Sequence, residues 1–204
     1  MHRPVQPLPV RVITDLETMR ALSDPTRVAI LRLLMSGDRS APPVMSTKEI
    51  ASALGEPQTK LYRHLRRLEA VSLIQVAETR LVSGIQEQRY RTAQLDFTIS
   101  RELVTNQASS AEFADTLSAL FSEFRTELIA NLSAGRVPVG SEAESPLGLL
   151  IGREMVTRVS PGRAAEFRRR LLALQTEFDA LEDDDPSGIP VHLLIGWYAV
   201  TEPD

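Results

Sequence analysis

Ser46–Leu68 reads STKEIASALGEPQTKLYRHLRRL, and its pattern decides the fold of the front half. Ser46, with Glu49 three residues on, has the form of a capping box, in which a hydroxyl and a carboxylate satisfy the orphan N–H groups of a first helical turn. Ile50, Ala53 and Leu54 supply an inward face. Gly55 supplies the stop, because glycine enters the left-handed turn that closes a helix without steric cost. After the break Gly55-Glu56-Pro57, a second helix is predicted over 57–70. At 100° per residue, Leu61, Leu65 and Leu68 share one face, and Thr59, Arg63 and Arg66 point away from it, with Lys60 and Tyr62 on the flanks. Gln58–Leu68 holds four fixed cations, Lys60, Arg63, Arg66 and Arg67, plus His64, and no acid. A solvated helix ordinarily mixes its signs; this one sorts a single sign opposite its core.

The flanking segments complete a pattern. Upstream, TDLETMRALSDPTRVAILRLLMSG reads as two helices. Leu16, Met19 and Leu22 make the first apolar stripe. Asp24 caps the second helix, Pro25 fits its first turn, and Val28, Leu31, Leu34 and Met35 recur at helical spacing. Downstream, SLIQVAETR and IQEQRYRTA are strand-like runs joined around Ser83-Gly84, a hairpin whose packed side takes Ile74, Val76 and Tyr90. Arg80, Arg89 and Arg91 are expected to stay wet. Helix, helix, helix, tight turn, helix, hairpin is a winged helix-turn-helix layout, in which the second helix of the pair enters a DNA major groove about 12 Å wide.

Charge supports that reading. The 204 residues carry a formal net charge of −4, yet residues 1–95 hold 14 Lys and Arg against 9 Asp and Glu, whereas residues 96–204 hold 9 against 18. A basic front half and an acidic back half point to two jobs, one of them facing a polyanion. The 43% apolar and 25% charged content is that of an ordinary globular protein. Cysteine is absent, which excludes disulfides and thiolate metal sites and fits a reducing cytoplasm. No apolar run approaches the roughly 20 residues of a membrane span. MHRPVQPLPV, broken by three prolines, lacks an apolar signal core and is read as a flexible arm over 1–14.

ALSDPTRVAILRLL resembles the opening signature of ArsR-type bacterial transcriptional regulators. TKEIASALGEPQTKLYRHLRRLEAVSLI is similar to that family's helix-turn-helix, and QEQRYRTA resembles its second wing strand. The three motifs occur in order over residues 15–95. The resemblance implies a homodimer on a roughly palindromic double-stranded DNA operator, usually a repressor released by a ligand. Metal-sensing members place cysteines in the helix before the recognition helix, or His/Asp/Glu sets on the terminal helix. Here there is no Cys, and His2, His64 and His192 are far apart in sequence, so no metal and no cofactor is expected. The tail resembles that of larger, non-metal members, which implies a small-molecule effector of unknown identity.

The fold class expected is α+β: an N-terminal winged helix-turn-helix over 15–95, then residues 96–204 with a long helix over 109–132 and a small C-terminal β-α-β element over 147–201. Phe113, Leu117, Leu120, Phe124 and Leu128 stripe the long helix, either closing a dimer or packing on their own chain. The dimer is favoured, because one helix-turn-helix reads few base pairs and two copies about 34 Å apart give usable specificity. The Gly/Pro/Ser-rich 133–146 is the expected hinge. In the tail a strand over 147–159, a helix from Pro161 and a final strand over 188–200 are expected, with Trp197 and Tyr198 as pocket lining or plain core.

Arg63 is the first choice for reading a base, by a bidentate contact to guanine, with a phosphate contact as its alternative. Arg66, Thr59 and Gln58 follow. Lys60, Tyr62 and Arg67 are assigned to backbone contacts, which position without carrying sequence. Arg80 near the wing tip is placed at a minor groove, which attracts Arg where it is narrow, or left solvated. Arg89 is placed at phosphate or paired with Glu78 and Glu87. His64 is read as packing rather than phosphate contact. A protein-interaction module without DNA binding is the competing function. An enzyme is disfavoured by the lack of a Gly-rich phosphate loop and of a Cys nucleophile.

Overall fold

The computed structural model describes residues 7–36, 39–82, 84–106, 109–137, 157–181 and 191–197. The chain divides into two units, Met1–Arg136 and Val137–Asp204. The described residues are mixed helix and strand, with the helix-turn-helix at the N-terminal side.

In the first unit, β1 (Arg11–Ile13) leads into α1 (Leu16–Leu22) and α2 (Pro25–Met35). Asp15 caps α1 by accepting from Thr18 N at 2.7 Å, and Asp24 caps α2 by accepting from Arg27 N at 3.0 Å. β2 (Met45–Ser46) runs into α3 (Thr47–Leu54), and α4 (Gln58–Ala70) follows. The capping box is complete: Ser46 N donates to Glu49 Oε2 at 2.7 Å and Glu49 N to Ser46 Oγ at 3.3 Å. Gly55 takes φ 65°, and the N–H groups of Gly55 and Glu56 both return to Ala51 O. On α3 the buried partner of Ile50 is Ala51; Ala53, expected inward, is exposed, and Leu54 is half-buried.

β3 (Ile74–Val82) and β4 (Ile85–Thr92) form the hairpin, with a bulge between Val76 and Glu78. The sheet order is β2-β4-β3, all antiparallel, and Met45 pairs with Tyr90. So a two-residue strand ties the wing to the start of α3. The core consists of Met19, Leu22, Ile30, Leu31, Leu34, Ile50, Leu61, Leu65, Leu68, Leu73 and Ile74. α4 contributes the leucine face its spacing assigns to it, and α2 adds Ile30 to the assigned Leu31 and Leu34.

The N-terminal segment and the stretch after the wing also differ from the sequence-based expectation. Residues 11–13, expected in a loose arm, form a parallel pair with β5 (Phe97–Ile99), and Leu8 bridges Gln94. The pairing buries Ile13 and leaves Val12 exposed. α5 (Arg101–Thr105) then precedes α6 (Ser110–Ser133).

In the second unit, α7 (Pro161–Asp179) is capped by Ser160, which accepts from Arg163 N. Phe167 on α7 stacks on Trp197 with ring centroids 5.3 Å apart. Of the β-α-β element, the helix is present. Most of its first strand and Tyr198 lie outside the described residues, and 191–197, in place of the last strand, pairs with no other described strand. Trp197 and Leu174 remain 41% and 55% exposed.

Candidate nucleic-acid interface

The Leu61, Leu65 and Leu68 side chains are at most 1% exposed, which fixes the rotation of α4 about its axis. Thr59, Tyr62, Arg63 and Arg66 are consequently exposed, and Gln58, Lys60 and Arg67 are half-exposed at the margins. The predicted sorting of charge therefore exists in three dimensions.

The cations fall into two groups. Lys60 Nζ lies 2.6 Å from Glu56 Oε1, and Arg67 Nη1 lies 2.9 Å from Glu17 Oε1. Such partly exposed pairs contribute at most about 1 kcal/mol, so either cation leaves its acid at small cost. Among the described residues no carboxylate pairs with Arg63 or Arg66. These two sit on the outermost strip of α4 with Thr59.

On the wing, Arg80 is exposed and pairs with its strand neighbour Glu78, at 2.7 Å. Leu81 and Val82 beyond it are 73% and 48% exposed, an apolar tip that the sequence reading passed over. Arg89 takes the second of its two expected places, paired with Glu78 and Glu87, and only the expectation that it stays wet is corrected. It is not wet: its side chain is 14% exposed, with Nη1 2.9 Å from Glu49, Nε 3.1 Å from Glu78 and Nη2 donating to Val44 O at 2.7 Å. With Glu87 also 3.9 Å from Nη1, these internal partners let it fasten the wing to the capping box of α3. The cause is the antiparallel register, which sets Arg89 opposite both Glu78 and Ser46.

The same cap shifts Glu49. The Ser46 N–H bond, and then Arg89, hold its carboxyl below the ordinary glutamate range. His64 is 3% exposed. Burial pushes its imidazole down, opposed by Asp24 and reinforced by Arg63, Arg27 and Lys60. The sequence placed His64 at the edge of the buried face but gave no sign of Asp24 beside it, since that neighbour lies on another helix.

Residues 22–77 match a family model described as a helix-turn-helix domain. That match runs from the end of α1 into β3 and contains α3, Gly55 and α4. No curated protein matches the chain. A helix-turn-helix domain of this build points to a DNA-binding regulator, with α4 in the place of the helix that enters the major groove. Among the described residues, no helix is long and apolar enough to cross a membrane.

Beside this helix-turn-helix, α6 lies on α1 and α2 through small and polar groups. Thr116 and Ala119 are buried. Thr116 Oγ1 donates to Met19 O at 3.1 Å, Glu112 meets Arg20 at 2.6 Å and Glu127 meets Arg32 at 2.7 Å. Phe113 reaches the margin of the core. Leu120, Phe124 and Leu128 are half-exposed, and Leu117 and Phe121 are 36% and 44% exposed. At 100° per residue the large apolar side chains are centred about a quarter turn away from Thr116.

Proposed function

We propose that this protein is a sequence-specific DNA-binding transcriptional regulator of the ArsR type. It acts in the cytoplasm as a homodimeric repressor, and it responds to a non-metal small molecule. The observation that carries the reading is the exposed strip Thr59, Arg63 and Arg66 on a helix anchored from behind by three buried leucines. A module built only for protein contacts has no need for that separation. The helix-turn-helix match over 22–77 supports the same reading.

Residues 15–95 bind the operator. Arg63 and Arg66, with Thr59 and Gln58, face base edges; Lys60, Tyr62 and Arg67 hold the phosphates beside them; Arg80 extends the contact along the wing. Arg89 is withdrawn from the contact set and given the structural role described above. Residues 96–204 dimerise through the α6 stripe and house the effector response.

Selection of bound fragments from genomic DNA, followed by footprinting, tests the proposal. A protected site with two-fold symmetry is expected. The logarithm of affinity should fall linearly with the logarithm of salt concentration, at about −0.9 per neutralised phosphate. Failure to retain any duplex at low salt removes the proposal and leaves the protein-interaction module.

A further inference from the structure

His64 is the one histidine of the helix-turn-helix, and the role proposed above leaves it unused. Its ring is buried between two charged side chains of opposite sign. Arg63 Nε donates to His64 Nε2 at 3.3 Å. On the other edge, His64 Nδ1 faces Asp24 Oδ1 at 3.6 Å, outside hydrogen-bond distance, and makes no hydrogen bond among the described residues. Asp24 is itself held, because it caps α2 through Arg27 N at 3.0 Å and lies 3.5 Å from Arg27 Nη1. The charged groups acting on the ring are Asp24 and Arg27 from α2, and Arg63 and Lys60 from its own helix.

The arrangement selects one tautomer. An imidazole nitrogen accepts a hydrogen bond only without its proton, so Nε2 is bare and the single ring proton sits on Nδ1, facing the Asp24 carboxylate. Burial and the surrounding guanidinium groups disfavour a second proton. The result is one hydrogen bond from the guanidinium to the imidazole, with the Asp24 carboxylate facing the opposite edge of the ring at 3.6 Å. Only one of the guanidinium's three nitrogens is engaged. Arg63 is exposed and its two terminal amino groups have no partner among the described residues; a bidentate contact to guanine O6 and N7 uses two such donors.

We propose that His64 is a positioning residue: its bare Nε2 holds Arg63 Nε and thereby sets the direction in which Arg63 reads a base. The inference rests on the DNA-binding reading for its purpose, and on the tautomer for its geometry. Protonation of Nε2 ends the acceptor and places a cation against Arg63. Acid therefore releases Arg63 and lowers selectivity. A histidine that served only as an extra cation would instead raise affinity for every duplex.

The first measurement needs no DNA. Nitrogen-15 shifts of the His64 ring in the full chain at pH 7.5 should show Nε2 unprotonated and Nδ1 protonated; the opposite tautomer overturns the inference. The second uses the tightest duplex recovered by selection from a random library, against a scrambled duplex. His64→Leu should lower the ratio of the two affinities by about five- to tenfold, as for the loss of an ordinary net hydrogen bond, with the scrambled affinity unchanged. His64→Gln, which keeps an uncharged acceptor, should restore most of the ratio and remove its fall between pH 7.5 and 5.5. In an Arg63→Ala background, His64→Leu should have no further effect on the ratio. An unchanged ratio in His64→Leu, or an equal loss without Arg63, overturns the positioning role while DNA binding stands. A wild-type chain that retains no duplex overturns both. Should His64→Leu fail to fold, the ring shifts and the glutamine variant decide.

Discussion

Two arginines of the same domain are set apart by what surrounds them. Arg63 is exposed with no carboxylate partner, and Arg89 is 14% exposed among Glu49, Glu78 and the Val44 carbonyl. Arg63→Ala should cost about 1–3 kcal/mol of operator affinity and relax one operator position. Binding titrations against single-base operator variants check this; equal losses on operator and random DNA would reassign Arg63 to phosphate. Arg89→Ala should act on the fold instead. It strands two carboxylates and a carbonyl, at about 1–3 kcal/mol of stability, and leaves the salt slope of DNA binding untouched. Urea melts and salt titrations of the same variant separate the two. A reduced slope with intact stability would return Arg89 to the DNA. Sequence alone distinguished these residues poorly. Arg63 was legible because its neighbours in space are its neighbours in sequence, whereas Glu49 and Val44 reach Arg89 only through the β2–β4 pairing.

Elements whose logic is local were legible in outline and often in detail. The caps at Asp24 and Ser46, the glycine turn at Gly55 and the leucine face of α4 all follow from residues within one or two turns of each other. β1 and β5 were not, because a parallel pair of three residues each, closed across most of the first unit, leaves no periodic trace in either segment. The choice between Ala51 and Ala53 also escaped, since both flank Ile50 and only the packing of α3 against its neighbours chooses between them. The α3 cap carries a pH signature. The folded carboxyl of Glu49 lies below the unfolded value near 4.5, through the Ser46 N–H and then Arg89. A depressed carboxylate contributes stability that is present above the unfolded value and lost as pH falls through the folded one. Stability measured downward from pH 5 should therefore fall less steeply in Glu49→Gln than in the wild type. Parallel curves would mean that the cap does not hold the charge.

At the scale of the molecule, the question is what covers α6. Its contact with α1 and α2 uses Thr116, Ala119 and the Arg20 and Arg32 ion pairs, with Phe113 at the margin of the core, and leaves Leu117 and Phe121 exposed. Leu117 and Phe121 are 36% and 44% exposed, so a partner that covers the rest of each adds roughly 0.5–1.3 kcal/mol per side chain. A second copy of α6 supplies a self-complementary surface under two-fold symmetry. That symmetry also gives a DNA reader two recognition helices spaced about one duplex turn apart. Leu117→Glu combined with Phe121→Glu should convert a dimer to a monomer in sedimentation equilibrium, with circular dichroism of the monomer unchanged because neither side chain is in the core. The monomer engages one half-site, so its salt slope on the operator should be roughly half that of the dimer, and the two-fold footprint should vanish. A wild-type chain that sediments as a monomer, or a double variant that stays dimeric with full operator affinity, would place the α6 stripe against some other surface and require another route to operator symmetry.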